Sequence, residues 1–382
     1  MIVRIAFVDH TSELGGAEFA LVSLLNHLDR QRWDPLVSLG TTGRLSMLLE
    51  SNGIDVQLIP FPAGLSGVRQ GSITRRTIMN PKRLRLAVDY VLRLSKLARR
   101  QRVSLLHANS LRTCILAGLA GRIVGIPTVW QVHSLVAEPM MSKQGVQLMR
   151  LFARWLPQHI ICNSAVTAAA FVSRPDALTV IPCGVDTARF TPKRLSGLRS
   201  NSRIGMLSRF SPIKGQHIFL DAVERVSGKY PKARFVVAGR SLFGEDEYEE
   251  LMRSRGGAAG VEFPGFVDDV PGFLNDLDIV VHPSVEPEGF GQIIVEAMLC
   301  GKPVVVSAAG GSAELVEDGV TGRLVPPGNA QALAEAIDDL LADPAKAVEM
   351  GNRAREVAAE RYDIRKTTKA IQDVYERVLA RV

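Results

Sequence analysis

Apolar and polar positions alternate along this chain with two different periods. Short apolar runs bounded by polar or turn residues recur in the first half as "IVRIAFV", "DPLVSLG", "DVQLIP", "VSLLHAN", "PTVWQVH", "HIICNS" and "ALTVIP". Runs of about four to eight such residues read as strands. Between them, Ala17–Leu28 and Leu111–Val124 carry helical periodicity. The second half repeats the plan with "RIGMLSR", "ARFVVAGR", "GVEFPGF", "LDIVVHPS", "KPVVVSA" and "TGRLVPP". Alternating strand and helix patterns predict the α/β class, with a doubly wound parallel sheet in each half.

A chain of 382 residues exceeds one ordinary core, so two Rossmann-like domains are expected, at 1–185 and 201–365. The stretch "PCGVDTARFTPKRLSGLRSNS" contains two prolines and no apolar periodicity, so residues 186–200 read as a linker. The final pattern, residues 366–382, has no strand after it; it either caps the second domain or crosses back to the first. Ligands of open α/β sheets bind beyond the carboxyl ends of strands and favour domain interfaces. Chemistry is therefore expected in loops that directly follow strands, facing a cleft between the domains.

The four cysteines, Cys114, Cys162, Cys183 and Cys300, form no CxxC or Cys/His cluster. Neither a zinc site nor a disulfide framework is indicated, and scattered thiols fit a reducing cytosol. The opening "MIVRIAFVDH" lacks the pattern of a signal peptide. The longest apolar stretch, "ILAGLAGRIVGIPTVW", is broken by Arg122 and falls short of the ~20 residues that span a bilayer. These features predict a cytoplasmic protein that is not integral to a membrane.

The net charge of +7 is uneven: eleven Lys/Arg and one acid, Asp89, lie between Arg69 and Arg102. Part of this region is helically periodic, with Leu84, Val88, Val91, Leu92, Ser95 and Ala98 on one broad face. It reads either as a surface helix with a solvated basic side or as a surface for anionic lipid headgroups. No recognition motif or interleaved aromatic accompanies the charge, so nucleic acid is not expected.

Four loops after strands could carry chemistry. In "DHTSELGGAEFALVSLL", Gly15 and Gly16 precede a helix, where paired glycines and a helix N-terminus suit an anion; the plain alternative is a tight turn. In "SRFSPIKGQHIFLDAV", Arg209 and Lys214 stand at a loop mouth, two fixed cations that suit a diphosphate. In "SVEPEGFGQIIVEAMLCG", a helix is expected from near Gly289 to Gly301. Glu288 then sits at its mouth, Glu296 follows eight residues on, and the N–H groups of Gly289, Phe290 and Gly291 face an anion between them. Such separation is too great for an acid/base dyad on one bond, but fits an elongated ligand with hydroxyls at both ends. Glu288 as a simple cap and Glu296 as a solvated charge is the alternative, although the apolar neighbours of Glu296 make a lone charge expensive. Finally, His133 closes the strand "PTVWQVH" and Asn109 ends "LLHAN", placing both as acceptor-side candidates.

Taken in order, these residues resemble glycosyltransferase family four, retaining nucleotide-sugar transferases with the two-domain GT-B fold. "GGAE" resembles its N-terminal glycine loop, "IPCGVDTARF" its linker-region signature and "SRFSPIKG" its phosphate loop. The block from "GFVDDVPGFLND" through the E-x7-E pair to "TGRLVPPGN" is the most specific part. The resemblance implies that Arg209 and Lys214 bind the donor diphosphate and that Glu288 holds sugar hydroxyls while Glu296 holds the ribose. It also implies that Gly16 approaches the phosphate or sugar, that Gly265, Phe266 and Val267 lie near the base, and that His133 sits beside the reacting sugar. No metal and no cofactor is implied; the donor is a UDP- or GDP-sugar, and the acceptor a glycan or lipid-linked hydroxyl. Cys183 departs from the family, which usually has Asn there, and a thiol is the weaker hydrogen-bonding group. Two other readings use the same residues: a nucleotide-sugar epimerase, or a non-catalytic sugar-nucleotide-binding subunit.

Overall fold

A computed structural model describes residues 2–62, 64, 80–193, 201–242 and 244–381. The chain forms two compact units, Met1–Gly184 with Ile364–Val382, and Val185–Asp363.

In the first unit, β1 (Val3–Val8), β2 (Trp33–Leu39), β3 (Asp55–Leu58), β4 (Leu105–Ala108), β5 (Thr128–Val132), β6 (His159–Cys162) and β7 (Leu178–Val180) make one sheet ordered β3-β2-β1-β4-β5-β6-β7. All its pairings are parallel. The sheet is covered on both faces, which explains why the strands read as continuous apolar runs. On one face, helices Pro81–Arg100, Leu111–Val124 and Lys143–Ala153 pack over Ala6, Val8, Leu106, Trp130 and Ile160. On the other, Gly16–His27, Arg44–Ser51 and Ile364–Leu379 pack over Ile5, Phe7, Leu105, Val129 and Ile161.

The last helix thus belongs to the first unit. Tyr375 is fully buried, and its hydroxyl lies 2.8 Å from Nδ1 of buried His107, whose Nε2 lies 2.7 Å from Gln131 Oε1. Tyr375 also meets Trp33 edge-on, with ring centroids 5.5 Å apart.

The helix Pro81–Arg100 buries Tyr90, Val91, Leu94, Ser95 and Ala98. Of the face expected from sequence, Leu84, Val88 and Leu92 instead remain 58%, 49% and 55% exposed. The buried side is rotated because Tyr90 and Leu94 supply the core contact. Arg69, Arg75 and Arg76 of the basic stretch lie outside the described residues. Among the described residues, no helix is long and apolar enough to cross a membrane.

In the second unit, β8 (Arg203–Leu207), β9 (Arg234–Ala238), β10 (Glu262–Gly265), β11 (Ile279–His282), β12 (Val304–Ser307) and β13 (Arg323–Val325) form a parallel sheet ordered β10-β9-β8-β11-β12-β13. The expected exposed linker is not free where it is described. Phe190 is buried and Asn275 Nδ2 donates to Thr191 O at 3.0 Å, while just before the linker Val185 is buried with its N–H donating to Tyr362 O at 2.8 Å. Two apolar side chains with core positions tie this segment to the second unit; residues 194–200 lie outside the described residues.

Candidate functional site

In the second unit, the polar side chains gather where strands end. β8 runs into Ser208 and Arg209, then a 3-10 turn, Pro212–Lys214, before the helix Gln216–Val226. Gly215 makes this turn possible: its φ is +74°, and a Cβ there would stand 2.0 Å from the Pro283 carbonyl oxygen. That close approach lays the Lys214 loop against the exit of β11, reinforced by the Val285 N–H donating to Ile213 O at 3.0 Å.

Lys214 Nζ consequently reaches Glu288 Oε2 at 2.6 Å. The second oxygen, Oε1, accepts from His282 Nε2 at 2.9 Å and from the Ser284 hydroxyl. A carboxylate only accepts, so His282 carries its proton on Nε2. Burial opposes ionisation of Glu288, but Lys214 and His282 outweigh it and hold the carboxyl well below the usual range. The Glu288 backbone is clamped as well. Its carbonyl accepts from the Gly311 N–H at 2.7 Å, and a Cβ on Gly310 would collide with Glu288 O at 2.4 Å. The loop after β12 therefore fixes the loop after β11.

The helix starts later than expected, at Gln292 rather than Gly289, and ends at Leu299. Gly291 is its N-cap at φ +106°, a left-handed turn that delays the helical backbone, and Phe290 is buried edge-on against Tyr362. Gly289, Phe290 and Gly291 thus form a lead-in to the helix mouth rather than its first turn. Glu296 accepts from Gln292 Nε2 at 2.9 Å. Burial pushes its carboxyl up to about 7, against the opposing pull of Gln292 and Arg189.

Arg209 Nη1 donates to Glu245 Oε2 at 2.9 Å, and Glu245 also accepts from Ser211 Oγ at 2.9 Å. Gly265, at φ +81°, ends β10 and accepts from the Gly239 N–H at 2.7 Å. Beside it, Phe266 is 37% exposed, and the Arg240 guanidinium lies 5.2 Å from its ring centroid. Val267 follows, half-buried. Arg209, Lys214, Glu288, Gly289–Gly291 and Gly265–Val267 therefore all follow the carboxyl ends of strands in one sheet, and the helix bearing Glu296 begins just after them.

In the first unit the strand ends carry a second polar group. Asp9 follows β1, Asn109 follows β4, His133 follows β5 and Asn163 follows β6. Asn109 Nδ2 donates to Asp9 Oδ2 at 2.7 Å, and Asn109 Oδ1 lies 3.3 Å from His133 Nε2. With its amide nitrogen given to Asp9, Asn109 presents an acceptor, so Nε2 of His133 is the protonated nitrogen. His133 Nδ1 then faces the Cys183 thiol at 3.8 Å. Burial pushes His133 down to about 4, against the pull of Asp9, so the ring is neutral. The Gly15 N–H donates to Glu18 Oε2 at 3.0 Å, whereas nothing lies within 4 Å of a Cβ placed on Gly16. Glu18 is 8% exposed, and burial together with Asp9 pushes its carboxyl up to about 8.

Sequence reasoning missed Asp9, Glu18, His282, Ser284 and Glu245. The first three had a usable signal. "VDH" and "VVHPS" each put an ionisable residue at or just past a strand end, and Glu18 stands in the third position of a helix opened by glycines.

A family model described as "Glycosyl transferases group 1" matches residues 197–357, and one described as "Glycosyltransferase Family 4" matches residues 14–189. The chain is 30% identical over 241 residues to the lipopolysaccharide core biosynthesis mannosyltransferase LpcC of Rhizobium leguminosarum, covering 60% of this chain and 68% of that one. It is 31% identical over 205 residues to the GDP-mannose-dependent alpha-(1-6)-phosphatidylinositol monomannoside mannosyltransferase of Mycolicibacterium smegmatis. That match covers 50% of this chain and spans about half, 53%, of that relative's length. Among solved structures, Anabaena HepE in complex with UDP-glucose superposes with a TM-score of 0.82 at 28% identity, covering 98% of this chain and 99% of that one.

Proposed function

Because this chain belongs to the group 1 glycosyl transferases of glycosyltransferase family 4, we propose that it moves a sugar from a nucleoside-diphosphate sugar to a hydroxyl of a glycan or lipid-linked acceptor. UDP is the favoured nucleotide, since the UDP-glucose-bound relative matches nearly the whole chain. The mannosyltransferase relatives favour GDP-mannose as a second reading. The observation that carries the proposal is the Lys214–Glu288 pair at the mouth of the helix Gln292–Leu299. It holds an ammonium ready for a diphosphate and a carboxylate ready for sugar hydroxyls in one loop cluster.

In the proposed reaction the bond between the anomeric carbon and the diphosphate oxygen breaks, and its electron pair leaves with the nucleotide. Lys214 and Arg209 stabilise that developing charge, the kind of electrostatic help that matters most in a water-poor site. The acceptor hydroxyl attacks from the face the diphosphate vacates, and a departing phosphate oxygen takes its proton. This assigns retention without a carboxylate nucleophile, and no metal takes part. Glu288 holds sugar hydroxyls, Glu296 the ribose, and Gly265, Phe266 and Val267 flank the base. Gly15, Gly16, Asn109 and His133 are the first unit's candidates toward the sugar and acceptor.

The exposed stripe Leu84, Val88 and Leu92, beside exposed Arg85, Lys96 and Arg99, supports contact with an anionic membrane that presents the acceptor. Flotation with anionic and neutral vesicles tests this. Loss of anionic preference in Leu84→Ser/Val88→Ser/Leu92→Ser supports it, and equal flotation of wild type with both lipids removes it.

A thermal-shift panel of UDP-, GDP- and ADP-sugars, followed by transfer to an acceptor glycan pool, tests the main reading. Stabilisation by one nucleotide class with transfer is expected. A changed sugar nucleotide from donor alone would favour the epimerase, and binding without transfer or hydrolysis the non-catalytic subunit.

A further inference from the structure

We propose that the first unit holds a separate binding site for a phosphate ester, built by Arg377 and Arg381 against His159 and Thr179. The four residues line a cavity of about 290 Å³, together with Asp176. His159 opens β6, and Thr179 lies in β7, so the cavity stands away from the strand carboxyl ends that carry Asp9, Asn109 and His133. Its chemistry is therefore independent of the transfer reaction, and the proposal holds or fails without that reading.

Arg377 stands in the last turn of the helix Ile364–Leu379, Arg381 follows two residues past its end, and both line the cavity. Neither has a hydrogen bond or ion pair among the described residues. Elsewhere the same helix does pair its charges: Lys369 bonds Asp373, and Arg32 reaches Glu376. Asp176 lines the cavity without pairing to either arginine. Arg174 is outside the lining and is fixed by donating Nη1 to Ala153 O at 3.0 Å and Pro157 O at 2.7 Å. His159, buried, has Nε2 2.8 Å from Thr179 Oγ1.

Two guanidiniums share this lining with one carboxylate, Asp176, which pairs with neither, so an added dianion meets net positive charge. Burial first, and then Arg377, Arg381 and Arg174, push His159 down to about 4, so the ring brings no further positive charge to the cavity. Two guanidiniums lining one cavity can fork the oxygens of a phosphate. The volume exceeds that of a bare phosphate, which leaves room for a small alcohol or glycerol moiety on the ester.

The test is calorimetric titration of the full chain with glycerol phosphate and with glycerol, beside flotation with phosphatidylglycerol and phosphatidylcholine vesicles. Arg377→Ala/Arg381→Ala is compared with Arg225→Ala/Lys232→Ala, which removes the same charge from the second unit. Both replaced arginines are exposed, so the fold and basal transfer activity are expected to persist. The proposal expects binding of glycerol phosphate but not glycerol, weakened at least about tenfold in the first variant and unchanged in the second. Binding confined to phosphatidylglycerol vesicles, with the same loss, identifies a lipid headgroup as the source. No binding in either arm, or equal weakening in both variants, overturns the site.

Discussion

Lys214 Nζ and Glu288 Oε2 lie 2.6 Å apart although 74 residues separate them in sequence. Each holds the other in place, and each is assigned to a different part of the donor. Lys214→Ala removes the cation proposed to face the leaving diphosphate but leaves Glu288 bonded to His282 and Ser284, so the fold is retained. Loss of one such charge stabiliser lowers turnover by on the order of 10²–10³-fold. The expected result is that loss in kcat with a melting temperature close to wild type. Wild-type turnover in Lys214→Ala would sink the assignment.

The proposed ribose role of Glu296 implies a pH dependence of donor binding. With its carboxyl at about 7 in the folded chain, it is largely protonated at pH 6 and largely ionised at pH 8. A carboxylate accepts both ribose hydroxyls, whereas the protonated form must donate one of its bonds. Donor affinity is therefore expected to rise as pH increases from 6 to 8, and Glu296→Gln should flatten that rise. Calorimetry with the nucleotide sugar at several pH values checks it; a slope that persists in Glu296→Gln assigns the effect to another group.

Much of the polar chemistry in each unit was legible because parallel α/β sheets put polar side chains just past strand ends. That rule places Arg209, Lys214 and Glu288 past strand ends of the second unit, and Asn109 and His133 past strand ends of the first. What pattern reading could not supply was partnership between distant segments. Nothing in "SPIKG" says that Gly215 must let Pro283 approach, nor that Lys214 would meet Glu288. Helix rotation was misjudged for a related reason. Leu84, Val88 and Leu92 share a stripe as convincing as that of Val91, Leu94 and Ala98, and only tertiary contact decides which is buried. The glycine at 291 likewise reads as helix entry, but its left-handed backbone moves the start to Gln292.

Tyr375 ties the last helix to the first unit's sheet through His107. The His107 Nε2–H is committed to Gln131 Oε1, so Nδ1 is a bare acceptor, and the phenol must donate to it. Burial pushes His107 down to about 3, so the ring stays neutral through the physiological range. Tyr375→Phe keeps the packing against Trp33 but strands a fully buried acceptor, at roughly 1–3 kcal/mol. Urea unfolding at pH 7 should show a loss of that size. A change within a few tenths of a kcal/mol would mean that the hydrogen bond contributes little to anchoring the helix.

Glu18 makes the stability of the first unit fall with rising pH. Its carboxyl is held at about 8 in the fold, by burial first and by Asp9 second, against 4.5 without the fold. Below pH 4.5 both states are protonated and Glu18 carries no penalty. As pH climbs toward 8 the unfolded chain ionises while the folded one does not, so stability drains progressively and levels off above 8. The total is on the order of a few kcal/mol. Glu18→Gln keeps an acceptor for the Gly15 N–H but cannot ionise. The variant should match wild type near pH 4, exceed it near pH 8.5 and show a shallower decline between. Glu296 contributes a loss of the same sign, so the comparison rests on the difference between wild type and Glu18→Gln at each pH. Parallel curves for the two proteins would show that Glu18 ionises freely in the fold and that the buried pair with Asp9 does not hold its proton.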